Sequence, residues 1–360
     1  MARVKLGDVA REYKATCGDQ KEGLRVVGLE HLIPQQIILT LWDEGKENTF
    51  TKMFKKGQVL FGRRRAYLKK AAVAPFDGIC SGDITVIEAI PGKILPELLP
   101  FIIQNDTLFD FAVERSAGSL SPRVKWEHLK NFEFELPELD KQKELADVLW
   151  ASERAKTAYR ELISNTDELV KSQFIEMFRD CPKCDLSRLS VIDMGSSPDS
   201  KTYNEEGKGL PFYQGKTEFG EMIIGDAVMY CSAPVKIAQA NDVLMSVRAP
   251  VGTVNLAKEE CCIGRGLASI RAIDSRSEAL FLFFALRIME KEIEAMGVGS
   301  TFKAINKNAL FSVQIPEASL ELQRAFVLLA QQFDKSKFAA KQALENLERT
   351  QKSLMNRYLG

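Results

Sequence analysis

The sequence repeats itself, and a duplicated chain has few ways to fold, because each copy must bury the same apolar pattern in the same manner. Val59-Leu60 followed by Arg64 reappears as Val243-Leu244 followed by Arg248, and Ile79-Cys80-Ser81-Gly82 reappears as Ile263-Gly264-Arg265-Gly266, at one common offset. Phe132-Glu-Phe-Glu-Leu136-Pro137 matches Phe311-Ser-Val-Gln-Ile315-Pro316, each alternating like a half-buried strand stopped by proline. After each proline runs a segment without glycine or proline, Glu138 to Asp180 and Glu317 to Leu359. Within these segments Leu145/Phe326, Val148/Leu329, Leu162/Ala343, Asn165/Asn346 and Lys171-Ser172/Lys352-Ser353 superpose. A helix of that length spans roughly 60 Å, longer than a domain needs for its own packing.

The pattern predicts an α+β protein with a pseudo-twofold internal repeat. Two mixed α/β globular domains, residues 1–136 and 185–315, are separated by two long helices, residues 137–180 and 316–360, paired as an antiparallel coiled coil. In the second helix Phe326, Leu329, Phe333, Ser336, Ala340, Ala343, Leu347, Thr350 and Leu354 recur at alternating steps of three and four, as a coiled-coil seam does. Leu145, Val148, Ser152, Ala155, Tyr159, Leu162, Thr166 and Leu169 do so in the first. Beside this seam lie Leu149, Ile163, Phe174, Met177, Leu328, Leu344 and Met355, a face wide enough to receive a further protein.

Chemistry of the chain's own is harder to find. The 360 residues hold two histidines, His31 and His128, with no nucleophile at a recognisable spacing. Gly207 to Thr217 ends like a phosphate-binding loop, but Leu210 stands where glycine is needed and Pro211 lacks an N–H. Asp199, Glu206 and Lys208 mimic a nuclease set on a segment too turn-prone to converge on a metal. Cys181-Pro-Lys-Cys184 has half the spacing of a zinc site and no second half, so linker cysteines and no metal are expected. Scattered cysteines, no apolar signal region and no long apolar run predict a reduced, cytoplasmic protein that does not enter a membrane.

What stands out is charge. Forty-nine basic residues balance forty-nine acidic ones, so a polyanion site must be a local patch. From Lys52 to Lys70 there are Lys52, Lys55, Lys56, Arg63, Arg64, Arg65, Lys69 and Lys70 and no acid, with Phe54, Phe61 and Tyr67 interleaved. Ser116 to Lys125 is a second acid-free stretch, rich in small donors, and Gly297 to Lys307 has the same character in the other half. Arginine forks suit guanine edges and lysines suit phosphate, so the patches suit phosphates and base edges, with solvated surface loops as the alternative.

Taken in order, these residues resemble the DNA specificity subunit of type I restriction-modification systems. The resemblance covers nearly the whole chain and rests on Val59 to Lys70, Gly78 to Asp83, the glycine-serine segments, and the duplicate Val243 to Arg248 with Ile263 to Gly266. It implies two target recognition domains that each read one half of a bipartite, asymmetric DNA site, with helical spacers that set the gap. It also implies a non-catalytic chain with no cofactor. Two modification methyltransferase subunits would hold S-adenosylmethionine and methylate adenine, and a restriction subunit can join them. By position the first-domain DNA contacts are Arg63, Arg64, Arg65, Lys69, Lys70, Ser119, Ser121, Arg123 and Lys125. Those of the second are Lys201, Tyr213, Gln214, Lys216, Arg248, Arg265, Lys303 and Lys307, with base and phosphate contacts left unassigned. A coiled-coil scaffold with two protein-binding heads is the main rival and would show no salt-dependent DNA affinity. A nucleic-acid enzyme with an unfamiliar site is the third reading and would show turnover as a purified single chain.

Overall fold

A computed structural model of the chain describes residues 2–18, 23–45, 48–118, 120–299 and 303–359. Contacts divide it into two compact units, Met1–Glu161 with Ala340–Gly360, and Leu162–Ala339. No helix among the described residues is long and apolar enough to cross a membrane.

In the first unit a four-stranded antiparallel sheet runs Ala10–Glu12, Ile84–Ala89, Val59–Gly62, Ala71–Val73. Val59–Gly62 is buried along its whole length, which suits an apolar strand with neighbours on both edges. A three-stranded sheet places Gly78–Cys80 between Arg25–Val27, to which it is parallel, and Lys52–Phe54, to which it is antiparallel. Ala2–Lys5 pairs with Glu133–Leu136, whose Phe134 and Leu136 turn inward while Glu133 and Glu135 face water. The alternation read from the sequence is this pleat.

The second unit repeats the order of pairing. Ser190–Met194, Leu267–Ala272, Val243–Ser246 and Val254–Leu256 form the antiparallel sheet. Cys261–Ile263 lies between Leu210–Tyr213, parallel, and Ile237–Ala238, antiparallel. Lys183–Asp185 pairs with Gln314–Pro316. The duplication is therefore one of topology, with Met229–Cys231 and Tyr203–Asn204 added to this unit's second sheet.

The long helices are Leu139–Met177 and Leu320–Leu359, and each gives one end to each unit. In the first unit Gln351 Nε2 donates to Glu153 Oε1 at 2.6 Å and Arg160 pairs with Glu348 at 2.8 Å, so the helices run antiparallel there. They do so in the second unit as well, where Lys337 meets Asp167 at 2.5 Å and the rings of Phe174 and Phe326 lie 5.3 Å apart. The first core gathers Leu145 and Leu149 with Met355 and Leu359, the second Phe174 and Phe178 with Phe281, Phe326 and Ala330.

Part of the expected seam is displaced. Leu145, Thr166, Phe326 and Ala340 are buried as expected, but Val148, Leu162 and Leu169 face solvent while their neighbours Leu149, Ile163 and Val170 turn inward. The cause is the polarity of the true seam, which contains Glu153 and Lys156, a buried ion pair at 2.5 Å, together with Gln351 from the other helix. Apolar periodicity carries no mark of a charged residue that is buried by its partner. It follows that Leu149, Phe174 and Met355 are core residues and cannot face a further protein, a correction to their expected role. Ile163, Met177 and Leu344 are half-buried, and Leu328 is exposed.

Two outcomes follow. Lys156→Met strands the Glu153 carboxylate in the interior and should cost about 3–5 kcal/mol, and adding Glu153→Leu should recover a large part of it, as read by urea unfolding. Lys352 and Lys69, each 2.6 Å from Asp106, hold its carboxyl below the usual carboxylate range. A depressed carboxyl favours the fold at neutral pH and loses that effect as pH falls through its ordinary value toward the lowered one. The gap in Tm between the natural chain and Asp106→Asn should therefore close with acidification across that window.

Candidate nucleic-acid interface

In both units the central strand of the antiparallel sheet ends beside basic residues, and the backbone there is clamped identically. After Gly62, Arg63 N–H donates to the Asp83 carbonyl at 3.0 Å and the Arg63 carbonyl accepts from Val124 N–H at 3.0 Å. Residues 117 and 123 exchange two backbone bonds of 3.0 Å, folding the glycine-serine segment into a small hairpin, and Arg65 N–H reaches the Pro122 carbonyl at 2.8 Å. In the second unit Val247 N–H donates to the Gly266 carbonyl at 2.9 Å and the Val247 carbonyl accepts from Ile305 N–H at 3.0 Å. Val298 and Ala304 exchange two backbone bonds as residues 117 and 123 do. Arg64 and Arg248 each bridge to these pairs, at Arg123 and Ala304 respectively. The arginine run is thus a strand exit and a turn: Arg65 and Lys69 adopt left-handed conformations, φ 53° and 51°, on either side of the short 3-10 turn Ala66–Leu68.

Side chains in the first unit converge on Asp83. Arg123 grips it bidentately, Nε to Oδ1 at 2.7 Å and Nη2 to Oδ2 at 3.2 Å, and Arg64 Nη1 lies 3.6 Å from Oδ2 while its Nε donates to Ser121 Oγ at 2.5 Å. Arg123 chiefly, aided by Arg64 and Arg63, holds the Asp83 carboxyl below the usual range. Arg63 is half-buried, with an Nε that has no partner among the described residues. Arg65 and Lys125 are exposed. Tyr67 and Leu120, 55% and 91% exposed, put apolar surface beside the arginines, suited to a thymine methyl.

In the second unit Gln214, Arg248, Arg265 and Lys303 are exposed on adjoining segments, since Gly264 N–H donates to the Tyr213 carbonyl and Gly266 and Ile305 flank Val247. Arg248, Arg265 and Lys303 have no ion-pair partner among the described residues. Lys201 and Lys216 are exposed as well, and Lys307 caps the Phe311 ring at 5.1 Å.

Three expected contacts are corrected. Lys69 is held by Asp106 and Lys70 donates to the Leu29 carbonyl at 2.7 Å, so both charges are met inside the domain. Tyr213 ends an inner strand, 2% exposed; its hydroxyl donates to the Gly225 carbonyl at 2.9 Å and burial pushes its pKa up to about 12. Ser119 lies outside the described residues. Asp83 was missed because it stands beyond the acid-free run; the signal was its place one residue after the repeated Ile79 to Gly82.

The other motifs are absorbed by the fold. Asp199 accepts from Lys201 N–H in a surface turn and Lys208 pairs with Glu206. Cys184 sits in the core on the strand Lys183–Asp185, its thiol pushed up by burial. Glu30, His31 and Asp43 come close enough to bracket a cation. His31 Nδ1, however, accepts the Gly28 N–H at 2.9 Å, which puts the ring proton on Nε2 toward Asp43, 3.7 Å away, and leaves the imidazole no lone pair for a metal.

A family model described as the type I restriction modification DNA specificity domain matches residues 4–165 and again residues 185–349. The putative type I restriction enzyme MjaX specificity subunit of Methanocaldococcus jannaschii is 30% identical over 329 residues, 83% of this chain and 77% of that protein. A solved chain, described under the structural basis of complex assembly and conformational transition of the type I R-M system, is 31% identical over 99% of this chain and 97% of its own, with a TM-score of 0.64. The S subunit of a type I restriction-modification system from M. genitalium shares the fold, at 14% identity, a TM-score of 0.63 and coverage of 100% and 96%. With both copies of the domain matched and the same pairing of strands in each unit, this chain belongs to the type I restriction-modification DNA specificity family, as a non-catalytic specificity subunit.

Proposed function

We propose that the chain reads a bipartite, asymmetric double-stranded DNA site, one domain to each half. What carries this reading is the twin surface: a strand exit clamped by a glycine-serine hairpin, with Arg64 in one unit and Arg248 in the other at the same place in the fold. Arg63, Arg64, Arg65, Ser121, Arg123 and Lys125 serve the first half-site, and Gln214, Lys216, Arg248, Arg265, Lys303, Lys201 and Lys307 the second. Arginine forks read base edges while lysines neutralise phosphate.

The chain works in the cytoplasm, without a cofactor of its own, and directs two modification methyltransferase subunits that carry S-adenosylmethionine; a restriction subunit joins the same assembly. Apolar side chains left exposed on the long helices, Val148 in the first unit and Leu162, Leu169, Ile175, Leu328 and Phe338 in the second, are the surfaces offered to the modification subunits. The paired helices fix the gap between half-sites.

Methylation mapping on randomised duplexes tests both roles. A heptad inserted after Thr166, matched by one after Lys337, should lengthen the gap and leave both half-sites unchanged; an unchanged gap would end the ruler role. Arg248→Ala should relax one position of one half-site by about 1–3 kcal/mol, whereas Lys303→Ala should weaken binding to all sequences and lower the salt slope by about one.

A further inference from the structure

The two arginine surfaces are built on the same backbone but differ in one respect. The position of Asp83, whose carbonyl accepts from Arg63, is filled in the second unit by Gly266, whose carbonyl accepts from Val247, because strand pairing sets the two units one residue off the register that matched Gly82 with Gly266 in the sequence. Arg123, in the hairpin, is answered by Ala304. The first domain thus holds two arginines around one carboxylate, and the second holds Arg248 with no acid beside it among the described residues.

We propose that Asp83 is a positioning residue for recognition of the first half-site: it fixes the Arg64 and Arg123 guanidinium groups as a rigid pair aimed at the DNA, a device not found among the described residues of the second domain. The inference rests on the DNA-reading role proposed above. Asp83 is well placed for it, because it immediately precedes the central strand Ile84–Ala89 and its own N–H is held by Ser81 Oγ at 3.2 Å. Exposure separates this from a simple fold-holding ion pair. The Asp83 side chain is 20% exposed, whereas those of Arg64 and Arg123 are 40% and 42% exposed, so the carboxylate is screened and the arginine edges remain presented. The second carboxylate oxygen and the Ser121 hydroxyl constrain Arg64, and the bidentate grip constrains Arg123. A long side chain already ordered loses less freedom on binding, and its fork is offered at one angle only. Removing the acid would free both arginines and add one unit of positive charge, so affinity for any DNA and discrimination among DNAs should move in opposite directions.

The test uses the complex of the chain with its modification subunits on a randomised duplex library, comparing the natural chain with Asp83→Asn by methylation mapping and by binding across a salt series. Asp83→Asn should relax one position of the first half-site about tenfold, leave the second half-site untouched, and steepen the salt dependence by about 0.9 in log–log slope. A bipartite preference that survives intact in Asp83→Asn overturns the inference alone; a natural complex that methylates with no sequence preference overturns the DNA-reading role and the inference with it. Should Asp83→Asn fail to fold, Asp83→Glu keeps the charge and moves the carboxylate by one methylene, and it should relax the same position by a smaller factor with the salt slope unchanged. No change there overturns the inference.

Discussion

Each half of the duplicated chain is completed by the helix of the other half. Phe174 and Phe178, at the end of the first long helix, pack on Phe281 and Phe326 of the second unit, and Met355 and Leu359, at the end of the second helix, pack on Leu145 and Leu149 of the first. Burying each large apolar side chain is worth about 1.5–3 kcal/mol. Neither domain can therefore close its core on its own repeat. Such an exchange also binds the chain's end to its beginning: the Leu359 carbonyl accepts from Asn105 Nδ2, and Lys352 reaches Asp106.

The helix pairing itself is wetter in character than a leucine seam. Glu153, Lys156 and Gln351 form a connected buried group in the first unit, with Lys156 and Gln351 both on the Glu153 carboxylate. The ion pair lies within one helix and contributes little net stability, because desolvation offsets attraction. What is position-specific is the reach of Gln351 from the other helix to the Glu153 carboxylate, with Arg160 on Glu348 beside it, since a helix slipped by one turn would strand the buried Gln351 amide. In the second unit the corresponding work is done by aromatic contact around Phe326. Register is thus fixed by polar matching in one unit and by ring packing in the other.

The recognition surfaces show the same economy of backbone and freedom of side chain. One pattern of hydrogen bonds, from strand exit to sheet neighbour to hairpin, supports both of them, and the bonds differ by about 0.1 Å between units. On that shared frame, aspartate and arginine in one unit are replaced by glycine and alanine in the other. These side chains can change without disturbing the sheet, because none of Asp83, Arg123 and Ala304 is part of a core.

Much of this was written in the sequence. The repeat of Val59-Leu60 and Val243-Leu244 became the two central strands, Phe134 and Leu136 turned inward as their alternation required, and the glycine- and proline-free segments became the two long helices. Strand and helix follow local periodicity, and a duplicated periodicity dictates a duplicated topology. The neighbours across space were not written there. That Glu153 and Lys156 would lie inside and Val148 and Leu162 outside, that Tyr213 would be sealed in a sheet, and that Lys69 would turn to Asp106 depended on which partner stood opposite. A charge is exposed or buried according to the counter-charge that meets it, and residues far apart along the chain are brought face to face only by the completed packing.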